Sequence, residues 1–476
     1  MTPLHYFSIT KTLIYLTVAL VLTPVFMVFF PVTVLPLNET INFVDLIDER
    51  MLSIVFGTIG LLTYAIWQLR PFLESLSTSQ FVILVALLSI PFIGLYPGDS
   101  DDFFTNFWYA ERVLYLNEIP YQQEHFQENY RNYQTDLPAI SPAPFLPYGP
   151  LWLGLQTTIY GLLGAFPIII KVLIFKTTQF SVWLISVYLL DKLTAIVQNS
   201  RNGTMRAILL SPWLLFAMVG AAHNDIWILV LITLSILLLQ QKNFFKSSLV
   251  LLVSVFFKYI TLALVPFYIL YWIKHTTKPQ AETKQHIIMS GIILLGLFVF
   301  FEQFLGIVTG IFNQAGLSGY SLTYGLQLLF GKGGVPFLQQ SIFPFLFLIL
   351  YATILYRYWK SERTLYDLMK ASALTIASIF IFVTQLWGYW YLAWILPFIM
   401  IFSKRTQEFL FIMGSVHLLV FFGLWYLSKL TELSIISIQQ MLLSAPFLMI
   451  ILTLSLCVFL VQLWKDSCTT GTIHSL

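Results

Sequence analysis

Three carboxylates stand within four residues at Gly98-Asp99-Ser100-Asp101-Asp102, directly after an apolar run from Gln80 to Tyr96. Acids are costly in lipid and cheap in water, so the cluster marks a surface segment. One acid is enough to cap a helix starting near Phe103. Three close carboxylates repel one another unless a cation or a proton-transfer role compensates. A carboxylate at a water–lipid boundary suits general-base work, taking a proton from a hydroxyl that attacks a carbon held beside it. Capping and catalysis both account for these residue types.

Several other residues could act on the same substrate. Arg112 follows Phe107-Trp108-Tyr109 in an aromatic helix expected to lie in the interface plane. It either snorkels to water or grips a phosphate with its two-pronged fork. Tyr148-Gly149 is framed by Pro142, Pro144, Pro147 and Pro150, a rigid connector that could also touch ligand. His223-Asn224-Asp225 sits between two apolar runs, as a tight turn or as part of a site. Lys258, inside Val255-Phe256-Phe257-Lys258-Tyr259-Ile260, must find an anion or reach water, and a lipid-headgroup phosphate would serve. Trp387, Tyr389, Trp390, Tyr391 and Trp394 read most simply as an interfacial belt, and as a sugar-stacking groove in the alternative. Tyr320, Tyr324 and Lys332 lie in a loop at 309–340. The two cysteines, Cys457 and Cys468, give neither a disulfide framework nor zinc spacing. Walker, dinucleotide and HExxH motifs are missing.

The elements that must position these residues are membrane helices. With 58% apolar and 10% charged residues, and a mean hydropathy of +0.82, the chain lies far from soluble domains, where roughly a quarter of residues are charged. The expected fold is an all-α, polytopic integral membrane protein, a single domain over 1–476. Apolar windows place spans near 11–36, 51–69, 80–97, 167–190, 206–222, 225–241, 287–308, 341–359, 370–386, 389–403, 407–427 and 441–464. Segments 148–166 and 247–273 are ambiguous, the second being broken by Lys258. If the first is partly embedded and the second dips in and returns, seventeen of the 25 Lys and Arg fall on one, cytoplasmic, side. That model has about 12–14 transmembrane helices. It places an external catalytic loop with juxtamembrane helices at 98–166 and a second external loop at 309–340.

The order of these landmarks carries a resemblance. Ser100-Asp101-Asp102 with Phe104, Trp108, Arg112, Pro120-Tyr121 and Pro147-Tyr148-Gly149-Pro150 resembles the first external loop of polyprenol-phosphate-dependent mannosyltransferases of the C-type (GT-C) glycosyltransferase superfamily. His223-Asn224-Asp225, Lys258-Tyr259 ahead of Pro266, and Tyr389 to Pro397 look like later landmarks of the same bacterial families. Phe104 and Tyr109-Ala110-Glu111 depart from the commonest pattern, in which Tyr and Trp-Asp-Gly stand there.

The resemblance implies transfer of a hexose, mannose favoured, from a polyprenyl-phosphate donor to a glycan or glycolipid hydroxyl, with inversion. The active site would face the extracytoplasmic side of a bacterial plasma membrane. Asp101 would be the base, with Asp102 in support and Asp99 in reserve. Lys258, Arg112 and Tyr259 would hold the donor phosphate, and His223, Asp225, Tyr148, Trp387, Tyr389 and Lys332 the substrates. No cofactor is implied, because the lipid-phosphate sugar is a co-substrate; a divalent metal is left unspecified, and nucleic acid is not expected. Two other classes remain open: a lipid-linked-sugar flippase, and a membrane acyltransferase or polymer ligase using His223.

Overall fold

The structure is a computed structural model that describes residues 49–94, 102–117, 148–164, 166–276, 284, 291, 342–384, 388–431 and 446–469. Most of the described residues are helical, with no strand among them. The expected spans at 11–36 and 287–308, and the loop at 309–340, lie outside them. The chain divides into two compact units.

The first unit comprises Met1–Ser100, Ile168–Ile226 and Tyr389–Leu448. It contains α1 (Glu49–Gln68), α2 (Arg70–Ser75) and α3 (Thr78–Ile93), then α6 (Ile168–Gln198), α7 (Gly203–Leu210) and α8 (Pro212–Leu215). Here α4 and α5 denote the second unit's Asp102–Leu116 and Pro150–Leu162. A capping box starts α3: the Ser77 hydroxyl accepts from the Gln80 N–H at 3.2 Å and Gln80 Oε1 accepts from the Ser77 N–H at 2.8 Å. Asn202 caps α7 by accepting from the Met205 N–H at 3.0 Å. Tight packing of α7 on α2 requires Gly203, since a Cβ there would lie 2.3 Å from the Arg70 carbonyl oxygen. At the centre, Arg206 grips Asp191 through two bonds of 2.7 and 2.8 Å and donates to the carbonyls of Leu73 and Leu76 at 2.6 and 2.7 Å. Thr78 completes the carboxylate's set at 2.7 Å. Arg206, at the start of the expected span 206–222, is therefore a buried structural cation.

Two expected spans take another form in this unit. The run 206–222 is broken: Ser211 is extended before Pro212, as the residue preceding proline prefers, and Gly203–Leu210 meets Pro212–Gly220 at 45°. Its last turn, Phe216–Gly220, is a π-helix. The run 389–403 forms a 3-10 helix, Tyr389–Ile395, and a single α-turn, α14 (Leu396–Ile399), too short to cross a bilayer alone. The long helix α15 (Lys404–Thr431) follows.

The second unit comprises Asp101–Pro167, Trp227–Gly388 and Met449–Leu476. Beyond α4 and α5 it holds most of α9 (Asp225–Gln240), then α10 (Phe244–Phe257), a 3-10 helix (Tyr259–Leu264) and α11 (Val265–His275). The helices α12 (Phe343–Lys360), α13 (Leu365–Phe382) and most of α16 (Pro446–Thr469) complete it. Pro150 begins α5 at a position where its missing N–H costs nothing. Thr364 and Asp367 form the capping box of α13.

Among the described residues, two helices are long and apolar enough to cross a membrane alone, Ile170–Gln198 and Leu365–Phe382, and the bent pair around Ser211 adds a third if it is one span. Together with the composition, this is an all-α polytopic membrane protein.

Candidate functional site

Lys258 stands at a break where several freed backbone carbonyls are met by hydrogen bonds. The α10 helix ends at Phe257 because Lys258 turns extended, with φ −156° and ψ 125°. Breaking a helix in an apolar setting exposes carbonyls that water cannot reach. Here the Phe257 carbonyl accepts from the Gly149 N–H at 3.0 Å, the Lys258 carbonyl from the Thr261 hydroxyl at 3.3 Å, and the Ala263 carbonyl from the Tyr351 hydroxyl at 2.9 Å. The Ser254 hydroxyl bridges to Thr261 at 3.0 Å, tying the end of α10 to the 3-10 helix. Proline at 266 then restarts regular helix. The kink is thus a built feature, and it aims one lysine out of an otherwise apolar run.

Tyr148 and Gly149 dock onto that break. The Lys258 ammonium lies 5.5 Å from the centre of the Tyr148 ring, within range of a cation–π attraction. Gly149 has an ordinary φ of −71°, so its need is steric: a Cβ there would stand 1.9 Å from the Phe256 carbonyl oxygen. On the other side, the Trp227 ring stacks on Phe257 at 5.0 Å.

The acid-bearing helix packs on α5. Asp102 opens α4, and the Trp152 indole donates to Asn106 Oδ1 at 3.3 Å. Phe107 and Tyr160 meet at 5.5 Å between centroids. Phe107, Trp108, Tyr109 and Ala110 are buried, as is Arg112, 2% exposed, whose guanidinium sits 4.8 Å from the Trp108 ring. Snorkelling of Arg112 to water is therefore ruled out. Asp99, Asp101, Trp387 and Lys332 lie outside the described residues.

In the first unit, the His223-Asn224-Asp225 turn is clamped by two tryptophans. The His223 N–H reaches back to the Ala217 carbonyl at 3.1 Å, Ala222 takes a left-handed φ of 57°, and Gln179 donates to the Ala222 carbonyl at 3.4 Å. The His223 ring stacks on Trp390 with centroids 4.1 Å apart and planes 15° off parallel. The Trp394 indole donates to Asp225 Oδ1. Phe216 and Tyr389 are neighbours at 6.5 Å. All three turn residues are buried, and the Asn224 Nδ2 has no hydrogen-bond partner among the described residues. A buried amide donor in that state calls for an acceptor from water or ligand. Tyr389, Trp390 and Trp394 are themselves buried, so they are core residues behind the turn and not an interfacial belt.

The structure therefore brings Tyr148 together with Lys258 and Tyr259 in one unit, and His223 and Asp225 close to Trp390, Trp394 and Tyr389 in the other. The sequence offers Gly149 as connector and Trp390 and Trp394 as belt or groove, but not their contacts with Phe256, His223 and Asp225, which span long separations. No group of three His, Cys, Asp or Glu able to hold a metal occurs among the described residues.

A family model described as alpha-(1->6)-mannopyranosyltransferase, N-terminal domain, matches residues 17–274, more than half of the chain. The chain belongs to this family. It is a membrane glycosyltransferase of a mannosyltransferase family, which removes the flippase and acyltransferase readings. The matched residues include the acidic cluster, Arg112, Tyr148, His223, Asp225, Lys258 and Tyr259; Lys332, Trp387 and Tyr389 fall beyond them. No curated protein and no solved structure gives a significant match.

Proposed function

We propose that this mannosyltransferase takes its sugar from a polyprenyl-phosphate donor and passes it to a hydroxyl of a glycan or glycolipid on the extracytoplasmic face of a bacterial plasma membrane. The observation that carries the reading is the break at Lys258, where a cation leaves an apolar helix with its carbonyl neighbours already satisfied and an aromatic ring beside it. A membrane-embedded phosphate ester is the anion such a lysine suits, with Arg112 and Tyr259 as its companions.

In the proposed step the acceptor hydroxyl gives its proton to Asp101, and its oxygen attacks the anomeric carbon. The bond to the phosphate oxygen breaks, and polyprenyl phosphate leaves with the electron pair. A phosphate leaving group needs charge stabilisation, not protonation, so one carboxylate plus cations is sufficient. Asp102 supports the base and Asp99 is the reserve candidate. His223, Asp225, Tyr148, Trp387, Tyr389 and Lys332 position the substrates, with Asp225 and the buried Tyr389 acting through the turn. Direct displacement inverts the anomeric centre. Because the family description names an alpha linkage, inversion requires a beta-linked donor.

The test is transfer of radiolabel in membranes supplied with polyprenyl-phosphate mannose, polyprenyl-phosphate glucose or a nucleotide-linked mannose. Movement of label from the beta-linked lipid mannose alone is expected, with Lys258→Gln weakening use of that donor and Asp101→Asn lowering transfer about a hundredfold or more. Transfer from the nucleotide sugar, or an unimpaired Asp101→Asn, would sink the proposal.

A further inference from the structure

Three cations at the end of α12 have no carboxylate partner among the described residues. Arg357 and Lys360 occupy the last turn of α12, and Arg363 follows in the connection to α13. The Arg357 guanidinium lies 4.6 Å from the Trp464 ring and 3.5 Å from Cys468 Sγ. The Lys360 ammonium lies over Trp359 at 5.1 Å and Tyr356 at 5.8 Å. The Nε of Arg363 is buried with no partner among the described residues. The nearby acids are engaged elsewhere. Glu362 pairs with Lys274 at 3.0 Å, Asp367 accepts from the Thr364 N–H and hydroxyl at 3.0 and 2.9 Å, and Asp466 accepts from Gln462 at 2.9 Å. Tyr356 and Trp359 are 57% and 53% exposed.

Exposed Tyr and Trp at the end of an apolar helix mark a membrane boundary. Cations clustered at that level attract anionic lipid, and Arg forks match phosphate oxygens. A bare phosphate in water would have no use for the two exposed rings, whereas a phospholipid would lay its glycerol and upper acyl carbons against them. We propose that Arg357, Lys360 and Arg363 form a binding site for the phosphate of an anionic phospholipid, distinct from the donor site.

The experiment uses the full purified chain with phosphatidylglycerol or phosphatidylcholine, scoring lipid that stays bound by native mass spectrometry. Preferential retention of phosphatidylglycerol is expected, weakening about fivefold for each cation removed in Arg357→Gln, Lys360→Gln and Arg363→Gln, while Arg201→Gln leaves it unchanged. If the combined variant fails to fold, the exposed Lys360→Gln alone carries the test. Unchanged retention in the variants would mean that these cations only set topology, and would overturn the site. Equal retention of phosphatidylcholine, or displacement of the lipid by excess inorganic phosphate, would overturn it as well.

Discussion

Replacing Gly149 by alanine tests whether the docking of Tyr148 on the Lys258 break serves transfer. The added Cβ would sit 1.9 Å from the Phe256 carbonyl oxygen and 2.4 Å from its carbon, where contacts under 3.0 Å are essentially never seen. The obstacle is backbone, so rotamer changes cannot relieve it, and the segment must retreat by roughly 1 Å, a displacement that costs about a hundredfold when it misplaces reacting groups. The retreat also strains the 3.0 Å bond from the Gly149 N–H to the Phe257 carbonyl, worth about 1 kcal/mol of stability. The matched control is Gly154→Ala in the same helix, where a new Cβ meets nothing within 4 Å and the helix gains about 0.5–1 kcal/mol. Transfer from labelled polyprenyl-phosphate mannose, measured on protein normalised for folded content, reads both. Loss of about a hundredfold in Gly149→Ala with full activity in Gly154→Ala is expected. Equal activities in the two variants would refute the reasoning.

Three further contacts carry expected outcomes. Asp191→Asn leaves buried Arg206 without its anion, and thermal unfolding in detergent should register a loss of about 3–5 kcal/mol. Trp394→Phe keeps a ring but removes the indole donor to buried Asp225, lowering stability by about 1–3 kcal/mol and reducing transfer through a loosened turn, as paired unfolding and activity assays would show. The hydrogen bond from Arg357 holds the Cys468 thiol below its ordinary pKa, so more of it is thiolate at neutral pH, the form that reacts. Iodoacetamide should label it faster than in Arg357→Leu near neutrality, with the two rates converging at alkaline pH, where both thiols are ionised.

The break at Lys258 was legible because a lysine in an apolar run has few ways to be satisfied, and the acids before Phe103 announced the start of a helix, which is α4. The role of Trp390 and Trp394 was not legible, since lipid and protein interior are both apolar and composition cannot tell a belt from a core. The run 389–403 met the apolarity of a span, yet its 3-10 winding depends on tertiary contacts. The pairing of Arg206 with Asp191 was not legible, because the two lie fifteen residues apart across a helix end. Gly149 looked like connector chemistry among prolines, and only the closeness of Phe256 explains why no larger residue fits.

The setting of Arg206 also bears on how the chain is made. Its acceptors, the carbonyls of Leu73 and Leu76 and the carboxylate of Asp191, all precede it. Chains emerge from the ribosome amino terminus first, so every group that compensates this arginine exists before the arginine is synthesised. Biogenesis therefore never has to leave this guanidinium bare while waiting for its counterpart.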